Sequence, residues 1–310
     1  MSTETVPATT EAPLVTRKVK WSTGDKAFTT FAHVILIIWA LLVVGPLIWT
    51  FMTSFKTSSE IFASALAFPQ ELLDGRVFEN YVNAWTKGNF GQYFINSVVV
   101  VALSMFLVML LGAMCAYVLA RHSFPGSQLI YYLMLAGLTF PIFLAIVPLY
   151  KVLQSLPLPW GGGDQSLLGT HAGLILTYVA FALPFTVFFL YAFFKTLPDE
   201  IAEAAAVDGA GEWTTFFRIM LPMAKPGIAS VAIFNFLGLW NQYLLPVALN
   251  TSEPKYVLSQ GIARFASQMG YSTDFGALFA AVIITVVPVL IVYMLFQRQL
   301  QGSVSQGTMK

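Results

Sequence analysis

The chain has 310 residues, of which 57% are hydrophobic and only 10% are charged. Soluble globular domains carry about 25% charged residues, so most of this chain is not built to face water. The 16 Lys and Arg residues nearly balance the 15 Asp and Glu residues, which leaves no basic surface for nucleic acid. The composition therefore predicts an integral membrane protein and excludes a nucleic-acid partner.

The first segment, residues 1–26, is polar, rich in Thr, Pro and Glu, and ends in a cluster of Lys and Arg. Such a segment cannot bury enough apolar surface to fold, so we expect a disordered cytoplasmic tail followed by a basic anchor. We do not expect a cleaved signal peptide, because the apolar run that follows is too long and starts too late.

Six windows of the sequence contain no Asp, Glu, Lys or Arg. Each is longer than the roughly 20 residues that a helix needs to cross the hydrocarbon core. Since backbone amides have no water partner in lipid, each window is predicted to be helical. The predicted fold is all-α: a six-helix transmembrane domain over 27–298 and a cytoplasmic tail over 299–310. The windows are 27–55, 88–120, 122–150, 165–194, 226–252 and 275–297.

The distribution of Lys and Arg predicts the orientation of these helices. With the N-terminus in the cytoplasm, ten of these residues lie inside and six outside. This bias favours cytoplasmic positions for both termini. It places 53–93, 155–170 and 250–274 outside, and the turn around Arg121 and the long segment 195–226 inside.

The segment 195–226 has the sequence pattern of two short helices. Pro198 suits a first helical position, and Asp199 and Glu200 complement the positive end of the helix dipole. A run rich in alanine then favours helix, and Gly209 is a natural stop. The segment is therefore predicted to fold as a helix-turn-helix rather than as an irregular loop.

Each of the two helices is predicted to carry a face formed by residues three and four apart. In the first helix these residues are Ile201, Ala204, Ala205 and Asp208. The second helix is expected to run from Glu212 to Met220 and to end at Pro222, with Trp213, Phe216, Phe217 and Met220 on its apolar face.

The small and acidic residues of the first helix indicate what it contacts. A helix that lies on lipid headgroups should be rich in Lys and Arg on its polar face, and acidic residues are poorly placed at a cytoplasmic leaflet. We therefore favour a soluble protein partner over lipid. The acidic residues of the segment are Asp199, Glu200, Glu203, Asp208 and Glu212.

The same segment resembles the EAA loop of ABC-importer permeases. That pattern is Glu-Ala-Ala, three residues, Gly, nine residues, Ile, any residue and Leu-Pro. Every spacing is met here, by Glu203, Ala204, Ala205, Gly209, Ile219, Leu221 and Pro222. Other stretches resemble the second, shorter permease of carbohydrate-uptake systems of the maltose type: SFKTSSEIF at 54–62, NYVNAW at 80–85, AYVLAR at 116–121 and WNQYLLP at 240–246.

The resemblance implies the permease fold of methionine and maltose importers and a mechanism of coupling. The first helix of the segment would dock in a groove of a cytoplasmic ATPase. Glu203 and Asp208 would contact the ATPase or fix the fold of the loop, Gly209 would make the turn, and the tail 302–310 would also reach the ATPase. Closure of the ATPase pair on ATP would rock two permease subunits from inward-open to outward-open.

The resemblance also implies partners, cargo and location. The partners would be a second permease chain, two cytoplasmic ATPase subunits and an extracytoplasmic substrate-binding protein, in a bacterial cytoplasmic (inner) membrane. The cargo would be a sugar, in particular a di- or oligosaccharide. ATP and Mg would be bound by the ATPase, so this chain is expected to need no cofactor of its own.

The residues that could carry enzymatic chemistry are few and scattered. No G-x-x-x-x-G-K-[ST] phosphate-binding motif is present, so ATP hydrolysis belongs to another chain. His33, His122 and His171 are isolated, and the single cysteine, Cys115, has no metal-ligand spacing around it. The chain is therefore predicted not to be an enzyme.

Two other transport classes remain compatible with the sequence. One is an ion- or proton-coupled carrier. A proton relay needs ionisable residues inside the bilayer, and the six windows contain no Asp, Glu, Lys or Arg. A sodium site built from backbone carbonyls would need none. A channel or structural subunit is the other alternative, but neither explains an acidic loop built for a partner.

Polar residues on the fifth predicted helix are candidates for a substrate path. Amides beside an aromatic ring could hydrogen-bond sugar hydroxyls and stack on a pyranose face. The competing interpretation is hydrogen bonding between helices. The candidates are Asn235, Trp240, Asn241 and Tyr243, and the phenylalanines Phe181, Phe185, Phe188 and Phe189 on the fourth helix could line a cavity.

Overall fold

The computed structural model describes residues 23–70, 78–159, 166–267 and 274–306. Most of the predicted disordered tail, residues 1–22, lies outside the described residues. Packing divides the chain into two units, residues 1–49 and residues 50–310. In the first unit the described residues form an apolar helix whose side chains, such as Leu41 at 68% exposure, are open to the surroundings.

The described residues are almost entirely helical. In chain order the elements are α1 (Thr23–Thr53), α2 (Ser58–Ala63), α3 (Glu79–Thr86), α4 (Phe90–Arg121), α5 (Ser127–Thr139), α6 (Ile142–Ser155), α7 (His171–Thr196), α8 (Asp199–Val207), α9 (Glu212–Met223), α10 (Lys225–Trp240), α11 (Leu244–Leu249), α12 (Leu258–Ser267) and α13 (Phe275–Gln306). A 3-10 turn at Glu253–Lys255 precedes α12.

The number of possible membrane spans agrees with the six predicted windows. Four helices, α1, α4, α7 and α13, are each long and apolar enough to cross a membrane. Two further pairs reach that length only together: α5 and α6 meet at 106°, and α9 and α10 meet at 76°. If each bent pair is one span, the described residues hold six, and the predicted all-α membrane fold is confirmed.

The window 122–150 is helical as predicted, but two helices share it. α5 ends at Thr139, and α6 starts at Ile142 after a sharp break. Pro141 causes this break, because it has no N–H to donate and disfavours a helical conformation in the residue before it. Phe140 is accordingly extended, with φ −74° and ψ 121°.

The window 226–252 is also interrupted, between α10 and α11. Side-chain amides take over backbone hydrogen bonds at this point. Asn241 Nδ2 donates to the carbonyl oxygen of Leu237 at 2.9 Å, and Gln242 Oε1 accepts from the N–H of Leu244 at 3.2 Å. The two amides therefore satisfy backbone groups on both sides of the break.

The pair α4 and α7 forms the centre of the second unit, with the most extensive contact between any two described helices. A Cβ atom added at Gly112 on α4 would clash with the side chain of Thr186 on α7. Small residues permit such close approach of membrane helices, where dispersion contacts rather than water expulsion hold helices together. The glycine therefore determines the spacing of the central pair.

Polar contacts close the end of the bundle opposite α8. Asn96 Nδ2 donates to the carbonyl oxygens of Pro254 and Tyr256 at 2.9 and 2.8 Å. In the same region Arg264 pairs with Glu253, and this hydrogen bond raises the pKa of the Arg264 guanidinium. These contacts hold the segment between α11 and α13 on the end of α4.

We expect Gly112→Val to loosen the central pair, because the added side chain would overlap Thr186. Overpacking of this kind costs about 1–3 kcal/mol. The measurement is thermal unfolding of the purified protein in detergent. Gly45→Val on α1 is the matched control, since a Cβ there meets no atom within 4 Å. Equal loss of stability in the two variants would contradict the proposed close approach.

Candidate functional site

The segment 195–226 folds as the predicted helix-turn-helix, formed by α8 and α9. Pro198 caps α8 with an extended backbone, and the helix runs from Asp199 to Val207. The helix start therefore lies one residue after the predicted one. Asp199 and Glu200 occupy its first turn, where they complement the helix dipole.

Gly209 makes the predicted turn between the two helices. Its φ of 77° is in the left-handed region, which residues with a Cβ adopt only at a cost. The N–H of Ala210 donates to the carbonyl oxygen of Ala205 at 2.9 Å, and the N–H of Gly209 donates to Ala206 at 3.1 Å. These two bonds form a Schellman motif, which satisfies carbonyls that the end of α8 leaves without partners.

α8 has one face on the bundle and one face open. Ala205 is buried, and Ile201 and Ala202 pack partly buried on a hydrophobic cluster. Glu203, Ala204 and Asp208 are exposed, and Val207 is 88% exposed. The residues predicted to share one face of α8 therefore do not all face the same way. Ala205 faces the bundle, and Ala204 and Asp208 face outward.

α9 differs from its predicted form. Its middle, Thr215–Met220, is a wider π-helical turn in which the N–H of Leu221 bonds to Phe216. Pro222 does not end the helix as predicted, because it follows this turn as one of the first residues of a new α-helical turn, where its missing N–H costs little. The helix continues to Met223.

The predicted apolar face of α9 divides in two. Phe216 and Met220 are buried, whereas Trp213 is 65% exposed and stacks on Phe217 at 5.8 Å between ring centres. The wide turn accounts for the division, because it changes the angular spacing of residues along the helix. Ile219 and Leu221 pack, partly buried, against the cluster that supports α8.

Arg121 joins the end of α4 to the start of α8. Its guanidinium donates to the carbonyl oxygen of Leu197 at 2.7 Å and pairs with Asp199. The Arg121 side chain is only 7% exposed. Beside it, His122 Nε2 lies 3.5 Å from a carboxylate oxygen of Glu212 on α9. Sequence reasoning missed this role of Arg121, since its partners lie more than 70 residues away.

The substrate-path candidates do not share one environment. Asn235 is buried and donates to Thr186 Oγ1 at 2.7 Å. The Trp240 indole N–H donates to the carbonyl oxygen of Thr285 at 3.1 Å. Asn241 bonds within its own helix, and Tyr243 is 48% exposed. Asn235, alone of the four, lines the cavity described next.

A cavity of about 390 Å³ lies between the α5–α6 break, α7 and α10. Phe181 and Phe185, two of the four phenylalanines singled out in the sequence, line it, together with Phe140 and Gln242 at the two helix breaks. Sequence reasoning did not select Phe140 or Gln242 as lining residues, because their placement depends on where the helices break.

The comparisons with known proteins agree on one family. A family model described as binding-protein-dependent transport system inner membrane component matches residues 108–306. A diacetylchitobiose uptake system permease protein of Streptomyces coelicolor is 59% identical over 289 residues, which cover 93% of this chain and 91% of that protein. A trehalose transport system permease protein of Mycobacterium tuberculosis is 30% identical over 279 residues, 88% of this chain and 97% of that protein.

Solved structures show the same fold at low sequence identity. A chain of a bacterial ABC transporter involved in import of the acidic polysaccharide alginate matches with a TM-score of 0.75 and 17% identity, over 90% of this chain and 99% of that chain. A chain of the MetNI methionine ABC transporter matches with a TM-score of 0.52 and 15% identity, over 69% of this chain and 95% of that chain.

We expect Gly209→Val to destabilise the end of α8, because a left-handed conformation costs about 1–2 kcal/mol for a residue with a Cβ. The measurement is hydrogen exchange of the α8 amides in the purified protein, which should become faster. Gly211→Val is the matched control, since Gly211 has a φ of −72° and open space around it. Unchanged exchange in Gly209→Val would show that the turn does not need glycine.

Proposed function

Because the chain belongs to the family of binding-protein-dependent transport system inner membrane components, we propose that its open α8 face is the docking surface for a cytoplasmic ATPase. The observation that carries the proposal is the two-sided structure of α8. Ala205 is buried against the bundle, while Val207 is 88% exposed on the opposite side. A partner that shifts α8 through this exposed face would also shift the hydrophobic cluster on which α8 packs.

The chemistry of the open face fits a protein partner. Ala204 allows close approach, Val207 offers an apolar contact, and Glu203 and Asp208 supply charge for cations of the partner. Interfaces with exposed charges at the rim and a small apolar centre are typical of specific docking. Glu203, Ala204 and Asp208 are thus the contact residues in this proposal, while Ala205, Gly209, Ile219, Leu221 and Pro222 hold the loop in shape.

The subunit composition follows from this role. The complete importer would contain this chain, a second permease chain, two ATPase subunits and an extracytoplasmic binding protein. ATP and Mg would be held by the ATPase subunits. Within the described part of this chain, no group of three or more His, Cys, Asp or Glu side chains could hold a metal ion.

The proposed cargo is a di- or oligosaccharide. The relatives support this class, since the Streptomyces coelicolor protein is named for diacetylchitobiose uptake and the Mycobacterium tuberculosis protein for trehalose transport. The 59% identity to the first makes N,N′-diacetylchitobiose the first compound to test. The ion-coupled carrier and the channel subunit, which the sequence alone left open, are not the family to which the chain belongs.

The proposed orientation has both termini and the segment 195–226 in the cytoplasm, so that α9 would lie at the cytoplasmic end of the span that it forms with α10. The excess of ten over six Lys and Arg residues supports it. The α2 segment and the segment between α11 and α13 would then face the extracytoplasmic side, where a binding protein arrives.

The docking proposal predicts the effect of Ala204→Trp. The importer, purified with its ATPase and binding protein and placed in proteoliposomes, should take up N,N′-diacetylchitobiose only with ATP. Because residue 204 is exposed, the tryptophan should leave the fold intact but obstruct docking. We expect uptake to fall about tenfold or more, equivalent to about 1.4 kcal/mol of lost docking energy.

The matched control is Ala40→Trp on α1, another exposed alanine outside the loop, which should retain uptake and bind the ATPase. Co-purification of the ATPase separates a docking defect from misfolding. If Ala204→Trp bound the ATPase and transported as well as wild type, the docking surface would lie elsewhere.

The orientation is tested with single cysteines in a Cys115→Ser background, which removes the one native thiol. Val207→Cys and Phe62→Cys place thiols at positions that are 88% and 73% exposed. In intact cells without the ATPase, a membrane-impermeant thiol reagent should label Phe62→Cys and leave Val207→Cys unlabelled until the membrane is opened. The reverse pattern would place α8 outside and end the coupling proposal.

A further inference from the structure

The cavity beside α10 lies where two broken helices come together. Phe140 and Ile142 flank the first break, and Gln242 lies in the second. α5 has 13 residues and α10 has 16, so at 1.5 Å per residue the breaks lie about 20 and 24 Å from the other ends of these helices. Both distances are shorter than a hydrocarbon core of about 30 Å, so for helices that start at the membrane surface the breaks would lie inside it.

Broken backbone at such depth limits what can surround it. Irregular backbone inside a membrane is tolerated where it is buried in protein or borders a water-filled cavity. Here the break at Phe140 borders the cavity, and Phe140 itself is 54% exposed. In secondary transporters, interrupted helices of this kind form the sites for the transported solute, and the same physical constraint applies to broken helices here.

The lining of the cavity selects a neutral, polar and ring-shaped ligand. None of its side chains is ionisable, so a charged solute would lose hydration without gaining a counter-charge. Phe140, Phe181 and Phe185 offer aromatic surface, and Gln242 offers an amide. Gln242 Oε1 accepts from the N–H of Leu244, and among the described residues its amide nitrogen has no hydrogen-bond partner.

Asn235 has a different part in the same cavity wall. Its amide nitrogen donates to Thr186 Oγ1 at 2.7 Å, and Thr186 in turn donates to the carbonyl oxygen of Ala182 at 2.9 Å. These bonds hold α10 against α7 and leave Gln242 as the lining side chain with a free donor. Asn235 is therefore a positioning residue.

From this geometry we infer that the cavity is the part of the sugar path contributed by this subunit. A pyranose ring stacks on the phenylalanine surface formed by Phe140, Phe181 and Phe185, and Gln242 donates to a ring hydroxyl or an acetamido oxygen. The inference rests on the proposed import of an oligosaccharide and assigns its contact residues in this chain. The volume of about 390 Å³ lies in the range of small-molecule sites.

A second cavity lacks the polar side chains that a sugar site needs. It lies between α4, α9 and the start of α10, has a volume of about 510 Å³, and is lined by side chains such as Met105, Phe106 and Ile228, with Lys225 at its edge. Apart from Lys225 its lining side chains are apolar. A sugar would leave its hydroxyl groups without partners there.

Gly238 makes the inference testable. It lines the cavity, and a Cβ atom added there meets no atom within 4 Å. Gly238→Leu should therefore fit the fold of this chain and fill the cavity. We expect uptake of N,N′-diacetylchitobiose by the assembled importer to fall about tenfold or more, since the sugar and the leucine would compete for space.

Gly45→Leu on α1 is the matched control, because it also adds a leucine side chain at a helical glycine with open space around it. It should transport as wild type does. The amount of assembled complex is measured for each variant, so that loss of transport is compared at equal complex. Wild-type uptake in Gly238→Leu at equal complex would overturn the inference.

A second measurement remains valid if Gly238→Leu fails to assemble. Gly238→Cys in the Cys115→Ser background places a small thiol in the cavity. A small water-soluble methanethiosulfonate reagent should modify it, and N,N′-diacetylchitobiose should slow the modification several-fold during turnover. Ser123→Cys, in an exposed turn, should react at the same rate with and without sugar. A Gly238→Cys rate that sugar leaves unchanged would also overturn the inference.

The two proposals fail in different ways. If the wild-type importer takes up no saccharide, the proposed cargo is wrong. If the wild type transports the sugar and both Gly238 variants behave as their controls do, the cargo stands and the path runs along other residues.

Discussion

Gly112 lets the backbone of α4 approach Thr186 on α7 more closely than any larger residue would allow. Thr186 is also the residue that receives the hydrogen bond from Asn235, so the same point holds α10. In lipid, where expulsion of water does not drive helices together, close dispersion contact and interhelical hydrogen bonds must supply the attraction. The close approach of Gly112 to Thr186, with the hydrogen bond from Asn235, therefore positions three helices of the bundle.

The loop that faces the proposed ATPase depends on this central pair. Arg121 is the last residue of α4, and its bonds to Leu197 and Asp199 reach the connection between α7 and α8. Phe194 on α7 is fully buried in the cluster on which Ile201 and Ala202 rest. α8 is thus attached to the ends of both central helices through Arg121 and the cluster around Phe194.

Unlike the continuous central helices α4 and α7, the pairs α5–α6 and α10–α11 are interrupted. A proline and two side-chain amides remove or replace backbone hydrogen bonds at these points, and the chain changes direction. The cavity at these breaks brings phenylalanines that are separate in the sequence close to the Gln242 amide, which has a free donor. Of the two amides that line the cavity, Gln242 lies at a break and Asn235 lies within α10.

The amino-acid sequence by itself determined the membrane class, the number of possible spans and the helix-turn-helix of 195–226. These features rest on local interactions. Charge-free windows must be helical in lipid, and a glycine such as Gly209 commonly ends a helix in the left-handed conformation. Short-range chemistry also indicated Asp199 and Glu200 in the first turn of α8.

The tertiary structure decided the rest. The bonds of Arg121 depend on residues more than 70 positions away in the sequence. The wide turn in α9, which divides Trp213 from Phe216, departs from the regular helix that the sequence pattern predicts. Side-chain periodicity assumes a regular helix, so it fails where the helix is interrupted. The cavity exists only because packing holds together helices that are far apart in the chain. No local pattern in the sequence predicts that arrangement.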